Sequence, residues 1–486
     1  GRRAGLLFFG AVVPLSLAVF KVAQFHSYQL MWDSGVFTNL AYNVLHGHGF
    51  HSSPYSEQPY LAIHFTFIPA LVAPVLLLWN SAAAFAALQG AALGLALLAL
   101  FLLARRHLDD TLAGWLAALL AMASPLYHDL AGSALDQIVY APVFLLWAAC
   151  FWTYRRFPLA LLSLALFLTT LEQAPFVLFG LGLYLLCQDG RARKTGLALL
   201  AGSAALFLLE LKVIALNQAG WPQPRNPWVV FESLGGTGPA VLERAFSRPW
   251  DFMTALVYPP IKLWNAARLL VFTAFLPAFA GPALLPAAVA FLPQQLADIG
   301  TGYHTLGWNY SGFVFGPLAC ASVVGLDRAR RRLGTSRRFL APWVLAVAGL
   351  LFLCSAEFYL PPNLLPAHWR DSGPRALAHI PEGSKVWCDP FFLAHLGLRR
   401  HVKALPMGLP NPLFETGLFV PDRVLLSLHW TRVADGPSRA RDGVSHEGRL
   451  SSRLPRTGPG RHGAPRCGRR LAPSRTLVAP LTLPTS

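Results

Sequence analysis

The strongest constraint on this chain is a recurrence of apolar runs of helical length, separated by short segments that hold the cations. The cationic segments are "GRR" at the start, "ARRH" at 104–107, "YRR" at 154–156, "GRARK" at 190–194 and "DRARRRLGTSRR" at 327–338. A backbone in hydrocarbon must satisfy its own hydrogen bonds, which helices do and open loops do not. With 54% hydrophobic and 13% charged residues in 486, the pattern predicts an all-α polytopic membrane protein. About eleven spans are expected, near 6–25, 82–104, 111–126, 138–153, 158–170, 174–187, 195–216, 264–280, 282–297, 311–326 and 339–358. Several fall short of the roughly 20 residues that a crossing needs. The sequence opens at Gly1 without methionine, so its N-terminus is expected to be incomplete. Leu6 to Phe25 is too long for a signal-peptide core and reads as the first span.

Leu61 to Trp79 decides the topology, because every later loop changes side if it crosses. Cations favour the cytoplasmic side. If this segment, interrupted by Pro69 and Pro74, does not cross, all five cationic clusters share that side; if it crosses, the first opposes the others. The non-crossing version places the N-terminus in the cytoplasm and collects Asp33, His46, His48, His51, His64, His128, Asp129, Asp136, Glu172, His304 and Tyr310 on the outer face. Ionisable groups at membrane depth are costly and usually functional, so this one-sided gathering predicts a site.

Three domains are expected. Residues 1–358 form the membrane domain. Residues 359–430, with strand-like "SKVWCDPF", "RRHVKALP" and "DRVLLSLHW", form a small α/β appendage on the outer side. Residues 431–486 form a basic tail without a core, either natively disordered or read out of frame from near Trp430. That tail has 11 Arg, no Lys and 3 acids, a surplus of 8 out of the net charge of +17. The remaining surplus is spread over loops, where membrane orientation already requires it, so no nucleic-acid partner is implied. The six cysteines are far apart with no CxxC pair, and read as apolar fillers.

The first outer loop, "WDSGVFTNLAYNVLHGHGF", has Val36, Phe37, Leu40, Ala41, Val44 and Leu45 on one helical stripe, which predicts an amphipathic helix lying on the membrane surface. Asp33 or Ser34 is placed as its N-cap and Gly47 or Gly49 as its stop. Asp33 then either caps the helix or takes a proton from a hydroxyl at the interface, and the two roles are compatible. His46 and His48 suggest substrate binding or part of a divalent metal site, although zinc would need a third ligand. His64 in "AIHFTF" bonds either a backbone group or a substrate. Asp136 in "LDQIVYAP" and Glu172 in "TTLEQAP" sit at outer span ends, where capping is one role and orienting a substrate another. His304 and Tyr310, in "GYHTLGWNYSGFVFGP", and Arg225, in "WPQPRNPW", are further substrate-binding candidates. No P-loop, GxSxG or HExxH motif occurs.

The series "WDSGVFTNLAYNVLHGHGF", "LAIHFTFIPALVAPV", "ALLALFLLARRHL", "LDQIVYAPVFLLWA", "LEQAPFVLFGLGLYLL", "YHTLGWNYSGFVFGPL" and "LAHIPEGSKVWCDPFFLAHLGLRRHV" resembles the bacterial membrane proteins grouped as domain of unknown function 2079, over roughly residues 6–430. That group looks like part of the GT-C glycosyltransferase class, which moves sugars from polyprenyl-phosphate donors at the outer face of the membrane. The resemblance implies a catalytic acid at Asp33 and a histidine of the following stretch at His64. It also implies an inner-membrane location. The chain departs from the group in having "LEQ" where a Lys-Glu-Asp run is common, and in separating His304 from Tyr310. The expected function is a membrane glycosyltransferase with Asp33, Glu172 and Asp136 as its acids. The rival classes are a transporter or lipid flippase, which predicts repeated halves and a mid-membrane site, and a non-catalytic membrane scaffold whose outer acids do not converge.

Overall fold

The computed structural model describes residues 1–30, 32–54, 59–219, 226, 228–299, 303–306, 310–332, 337–355, 367–388, 390–404, 423–427 and 476–480. Among them four helices are long and apolar enough to cross a membrane: Arg2–His26, Ala82–His107, Arg191–Asn217 and Gly312–Arg332. Six shorter apolar helices accompany them: Ile68–Leu78, Thr111–Ala123, Gln137–Thr153, Phe157–Leu168, Ala174–Leu186 and Ala341–Leu353. Of the eleven expected spans, four are of full length and five are short among the described residues, while the sixth short helix, Ile68–Leu78, is the segment expected not to cross. At 1.5 Å per residue a 13-residue helix reaches only about 20 Å.

The expected pair at 264–280 and 282–297 is not two spans. Ile261–Val271 ends where Ala274 and Phe275 both take positive φ, and two 3-10 turns follow before Leu285–Leu296, which has Pro293 inside it. Pro277, Pro282 and Pro286 remove backbone donors through this stretch, so one long helix cannot form. Ile68–Leu78 stays below spanning length, broken at Pro74.

Small residues let the helices approach. A Cβ added at Gly90 would meet the Leu17 carbonyl oxygen at 2.4 Å, and one at Gly94 would meet Pro14 Cα at 2.4 Å, so Ala82–His107 lies directly on Arg2–His26. Gly182 and Gly196 make the same approach between Ala174–Leu186 and Arg191–Asn217. Without a hydrophobic drive between helices in lipid, such contact supplies the packing energy.

The cationic clusters meet at one end of the bundle. Arg105 donates to the Tyr154 hydroxyl at 3.2 Å, beside Arg155 and Arg156, and Arg330 pairs with Asp110 at 3.6 Å. At the opposite end Gln218, just past the Arg191–Asn217 helix, donates to the Ala62 carbonyl at 2.7 Å. Arg105, Arg155, Arg156 and Arg330 thus lie at the end of the bundle away from Ala62 and Gln218.

The first outer helix, Trp32–Leu45, corrects two expectations. It begins at Trp32, so Asp33 lies in the first turn and is not the N-cap, and its carboxylate has no hydrogen-bond partner among the described residues. Nor does the helix lie on the membrane with a wet polar face, because Ser34, Thr38, Asn39 and Asn43 are all buried. One side packs against the bundle through Phe37, on Phe85 and Tyr140. The other side is covered by the C-terminal unit, where a Cβ at Gly35 would meet Leu393 Cγ at 2.2 Å. All four side chains are uncharged, and Ser34, Asn39 and Asn43 bond to protein instead of water. Gly47 and Gly49, both with positive φ, close the helix as expected.

The C-terminal unit has a four-stranded sheet in the order β2-β1-β3-β4, with β1 Val386–Cys388, β2 Val402–Ala404, β3 Arg423–Ser427 and β4 Thr476–Pro480. β1 pairs in parallel with β2 and β3, and β4 is antiparallel to β3. Of the segment 431–486, only β4 lies within the described residues. The helix Pro390–Leu396 seats on Trp32–Leu45. His395 stacks between Phe25 and Tyr28, at 4.1 and 4.2 Å between ring centroids. Ser53 Oγ donates to the Val402 carbonyl at 3.0 Å and accepts from the Val402 N–H at 2.9 Å.

Candidate functional site

Glu172 sits in the turn before Ala174–Leu186, where the helix dipole favours an anion. The strand-like stretch 64–67 runs beside this turn. Phe67 N–H donates to Thr169 O at 2.9 Å and Thr66 Oγ1 to the same oxygen at 3.2 Å. That stitching brings His64 Nδ1 within 3.0 Å of Glu172 Oε1, while Phe65 N–H donates to Oε2 at 3.0 Å. Both carboxylate oxygens are engaged. Burial alone drives the Glu172 carboxyl up, but the His64 charge, the His64 hydrogen bond and the backbone N–H groups of Glu172 and Phe65 outweigh it and hold the group below its ordinary value. An ionised Glu172 accepts Nδ1–H, which leaves His64 Nε2 as the free ring nitrogen.

Asp33 faces this dyad. It is solvent-exposed yet crowded by protein, which raises its carboxyl, with the charge of His64 pulling the other way. Asp33, His64 and Glu172 thus come together from three separate segments of the chain.

A second arm continues from the neighbour of Glu172. Gln173 Nε2 donates to the Tyr303 hydroxyl, and Tyr303 packs on Tyr310 at 4.6 Å between ring centroids. His304 follows, its carbonyl accepting from Asn265 Nδ2 at 2.9 Å. The tyrosine that reaches the dyad's neighbour is therefore Tyr303, and Tyr310 backs it.

Other candidates lie apart. His46 and His48 occur past the far end of Trp32–Leu45, about 20 Å from Asp33 at 1.5 Å per residue. His46 Nδ1 contacts the Tyr42 carbonyl at 2.9 Å, and the two imidazoles stack 6.2 Å apart. Asp136 is buried and accepts from Ile138 N–H at 2.8 Å as the cap of a 3-10 turn. Its loop is tied to the start of the first outer helix by Leu135 N–H on Ser34 Oγ, at 2.7 Å. His128 is buried with Nε2 on the Met122 carbonyl, at 2.7 Å. Arg225 lies outside the described residues. Among the described residues no group of three His, Cys, Asp or Glu side chains is arranged to hold a metal ion, and the two Glu172 oxygens are already taken.

Glu210 was not singled out above. It lies in Arg191–Asn217 on the stripe Gly196, Ser203, Glu210 and Ile214 that turns inward, fully buried, with neither carboxyl oxygen hydrogen-bonded and within electrostatic range of Glu172. The signal was there: one acid inside "ALFLLELKVIAL" is an intramembrane carboxyl that needs a reason. Lys262, in "PPIKLWNAARLL", gave no comparable signal, because a lysine at a helix start beside an outer loop is ordinary.

Apolar helices with arginines at one end and a His–carboxylate cluster at the other define a polytopic helical membrane protein with a polar site at one face. The family model described as "Predicted membrane protein (DUF2079)" matches residues 27–450, and the chain belongs to that family. No curated protein matches the sequence. Among solved structures, the chain is similar to ArnT from Cupriavidus metallidurans bound to undecaprenyl phosphate, with a TM-score of 0.49 and 14% identity, covering 89% of this chain and 95% of that one. It is also similar to the Archaeoglobus fulgidus oligosaccharyltransferase in complex with zinc and sulfate. There the TM-score is 0.40 and the identity 14%, covering 81% of this chain and 62% of that one.

Proposed function

We propose that this protein is a glycosyltransferase of the bacterial inner membrane, which moves a sugar from a lipid-linked phosphate to an acceptor hydroxyl at the extracytoplasmic face. The observation that carries the reading is an Asp33 carboxylate with no hydrogen-bond partner among the described residues, facing a histidine that Glu172 holds by Nδ1. A carboxylate left unbonded at the start of a helix, where capping would have been easy, is available to a ligand. In the proposed reaction the acceptor O–H loses its proton to Asp33 and its oxygen bonds to the anomeric carbon. The bond from that carbon to the phosphate oxygen breaks, and the lipid phosphate departs with the electron pair. His64 bonds the acceptor through Nε2, and Glu172 fixes the ring. Tyr303, Tyr310 and His304 line the donor side. The apolar helix walls around the site suit a donor whose sugar reaches the interface on a lipid tail.

The test compares a deletion strain carrying wild type with one carrying Asp33→Ala, with lipid-linked and surface glycans as the readout. Asp33→Ala is expected to abolish transfer, at least 100-fold down, the lower end of what a positioned base contributes, while the protein remains folded in the membrane. Full activity in Asp33→Ala would overturn the assignment.

A further inference from the structure

We infer that Lys262, together with His304, is the anion-binding half of this site and holds the phosphate of the donor. The inference rests on the reading above and adds residues to it.

Lys262 lies in the first turn of the helix Ile261–Val271 and is 3% exposed. Its ammonium donates to the Ala255 carbonyl at 2.7 Å, and it forms no ion pair among the described residues. The acid whose charge reaches it, Asp298, is engaged elsewhere, accepting from the N–H and hydroxyl of Ser233. An ammonium has three donors, so two donors and a full positive charge remain unmatched. Holding such a charge under protein without an anion is costly, and a bound phosphate removes that cost.

Neighbouring groups point the same way. Asn265, three residues on and so on the same helix face, bonds the His304 carbonyl, and the amide of Gln295 bonds the Lys262 carbonyl at 3.1 Å. These ties hold His304 close enough to Lys262 that burial, and after it the ammonium charge, lower the imidazole below its ordinary value. His304 Nδ1 and Thr305 Oγ1 are buried without a partner, as is Gln294 Oε1 on the other flank. The cationic arm begins one residue from Tyr303, which contacts the neighbour of Glu172. A phosphate on Lys262 would therefore leave its sugar between that arm and Asp33. A phosphate ester is the shared chemistry of a lipid headgroup and of a soluble phosphate.

Lys262→Gln separates this role from simple capping of the Pro249–Val257 helix, because glutamine still offers a donor to the Ala255 carbonyl and lacks the charge. Farnesyl phosphate, farnesol and inorganic phosphate are titrated into the purified full chain in detergent, followed by tryptophan fluorescence, with gel filtration confirming a folded variant. Wild type is expected to bind farnesyl phosphate and not farnesol, and Lys262→Gln to bind it about tenfold more weakly, the loss of one charge-assisted contact. His304→Ala is expected to weaken it by a smaller factor. Equal binding by wild type and Lys262→Gln overturns the inference and leaves the donor reading standing. Binding of inorganic phosphate alone, lost in Lys262→Gln, supports the anion site and overturns the lipid donor. A wild type that binds neither phosphate overturns both.

Discussion

Asp33 and Glu172 are carboxylates of one site held in opposite electrostatic states. Crowding pushes Asp33 up, whereas His64 and backbone donors hold Glu172 down. In the proposed reaction the acid whose oxygens are both engaged serves as positioner, and the one without a hydrogen bond among the described residues as the reactive group. Two pH effects follow. A base must be ionised, so the acidic limb of the kcat/KM profile is expected above the ordinary aspartate value of about 3.9. A limb at or below that value removes Asp33 from the role. The depressed Glu172 contributes stability that is present above the unfolded carboxyl value, about 4.3, and lost as pH falls through its lower folded value. Glu172→Gln is therefore expected to cost about 1–3 kcal/mol near neutral pH, from the weakened buried hydrogen bonds. Thermal melts in detergent should show that deficit shrinking toward the acid end, where wild-type Glu172 is also neutral. A deficit independent of pH would mean that the carboxylate charge adds nothing.

The element that matters most is the helix Trp32–Leu45, and its surroundings were only half legible from its own residues. The apolar stripe and the glycine stop are local patterns that neighbouring residues set, and both are present. Its polar stripe, Ser34, Thr38, Asn39 and Asn43, suited water equally well in one dimension. Whether such a face meets solvent or protein depends on residues more than 300 positions away. Asn39 shows this: Nδ2 donates to the carbonyls of Gly397, at 3.1 Å, and Arg399, while Oδ1 accepts from Ser53 N–H at 2.8 Å. Asn39→Ala is expected to leave those buried groups unpaired, at about 1–3 kcal/mol for each. Limited trypsin digestion of membranes should then cut faster at Arg399 and Arg400. An unchanged digestion pattern would show that the C-terminal unit docks without Asn39. The uncharged polar stripe is thus a docking surface that also fixes the helix carrying Asp33.

At the scale of the whole molecule, the bundle is polarised, with arginines tied to one another's neighbours at one end and the carboxylate–histidine site at the other. The proposed orientation puts the arginine end in the cytoplasm. In spheroplasts, a membrane-impermeant thiol reagent is expected to label His48→Cys and spare Arg332→Cys, each in a cysteine-free background. The reverse pattern would place the site in the cytoplasm and remove the outer-face reaction. The sequence by itself determined the membrane class and the clusters in which cations gather, because hydropathy and charge are properties of contiguous residues, and it offered Asp33, His64 and Glu172 as candidates. It overcounted the full spans, since the capacity of 264–297 to form helices was judged from apolarity while Ala274, Phe275 and the prolines turn the backbone. Only the tertiary structure decided that His64 and Glu172, 108 residues apart, form one dyad, that the Asp33 carboxylate has no hydrogen bond among the described residues, and that Glu210 and Lys262 are buried. The reason is geometric: a side chain's partner is set by which helices touch, and helix contact depends on glycines such as Gly90, Gly94, Gly182 and Gly196 meeting backbone far away in the chain.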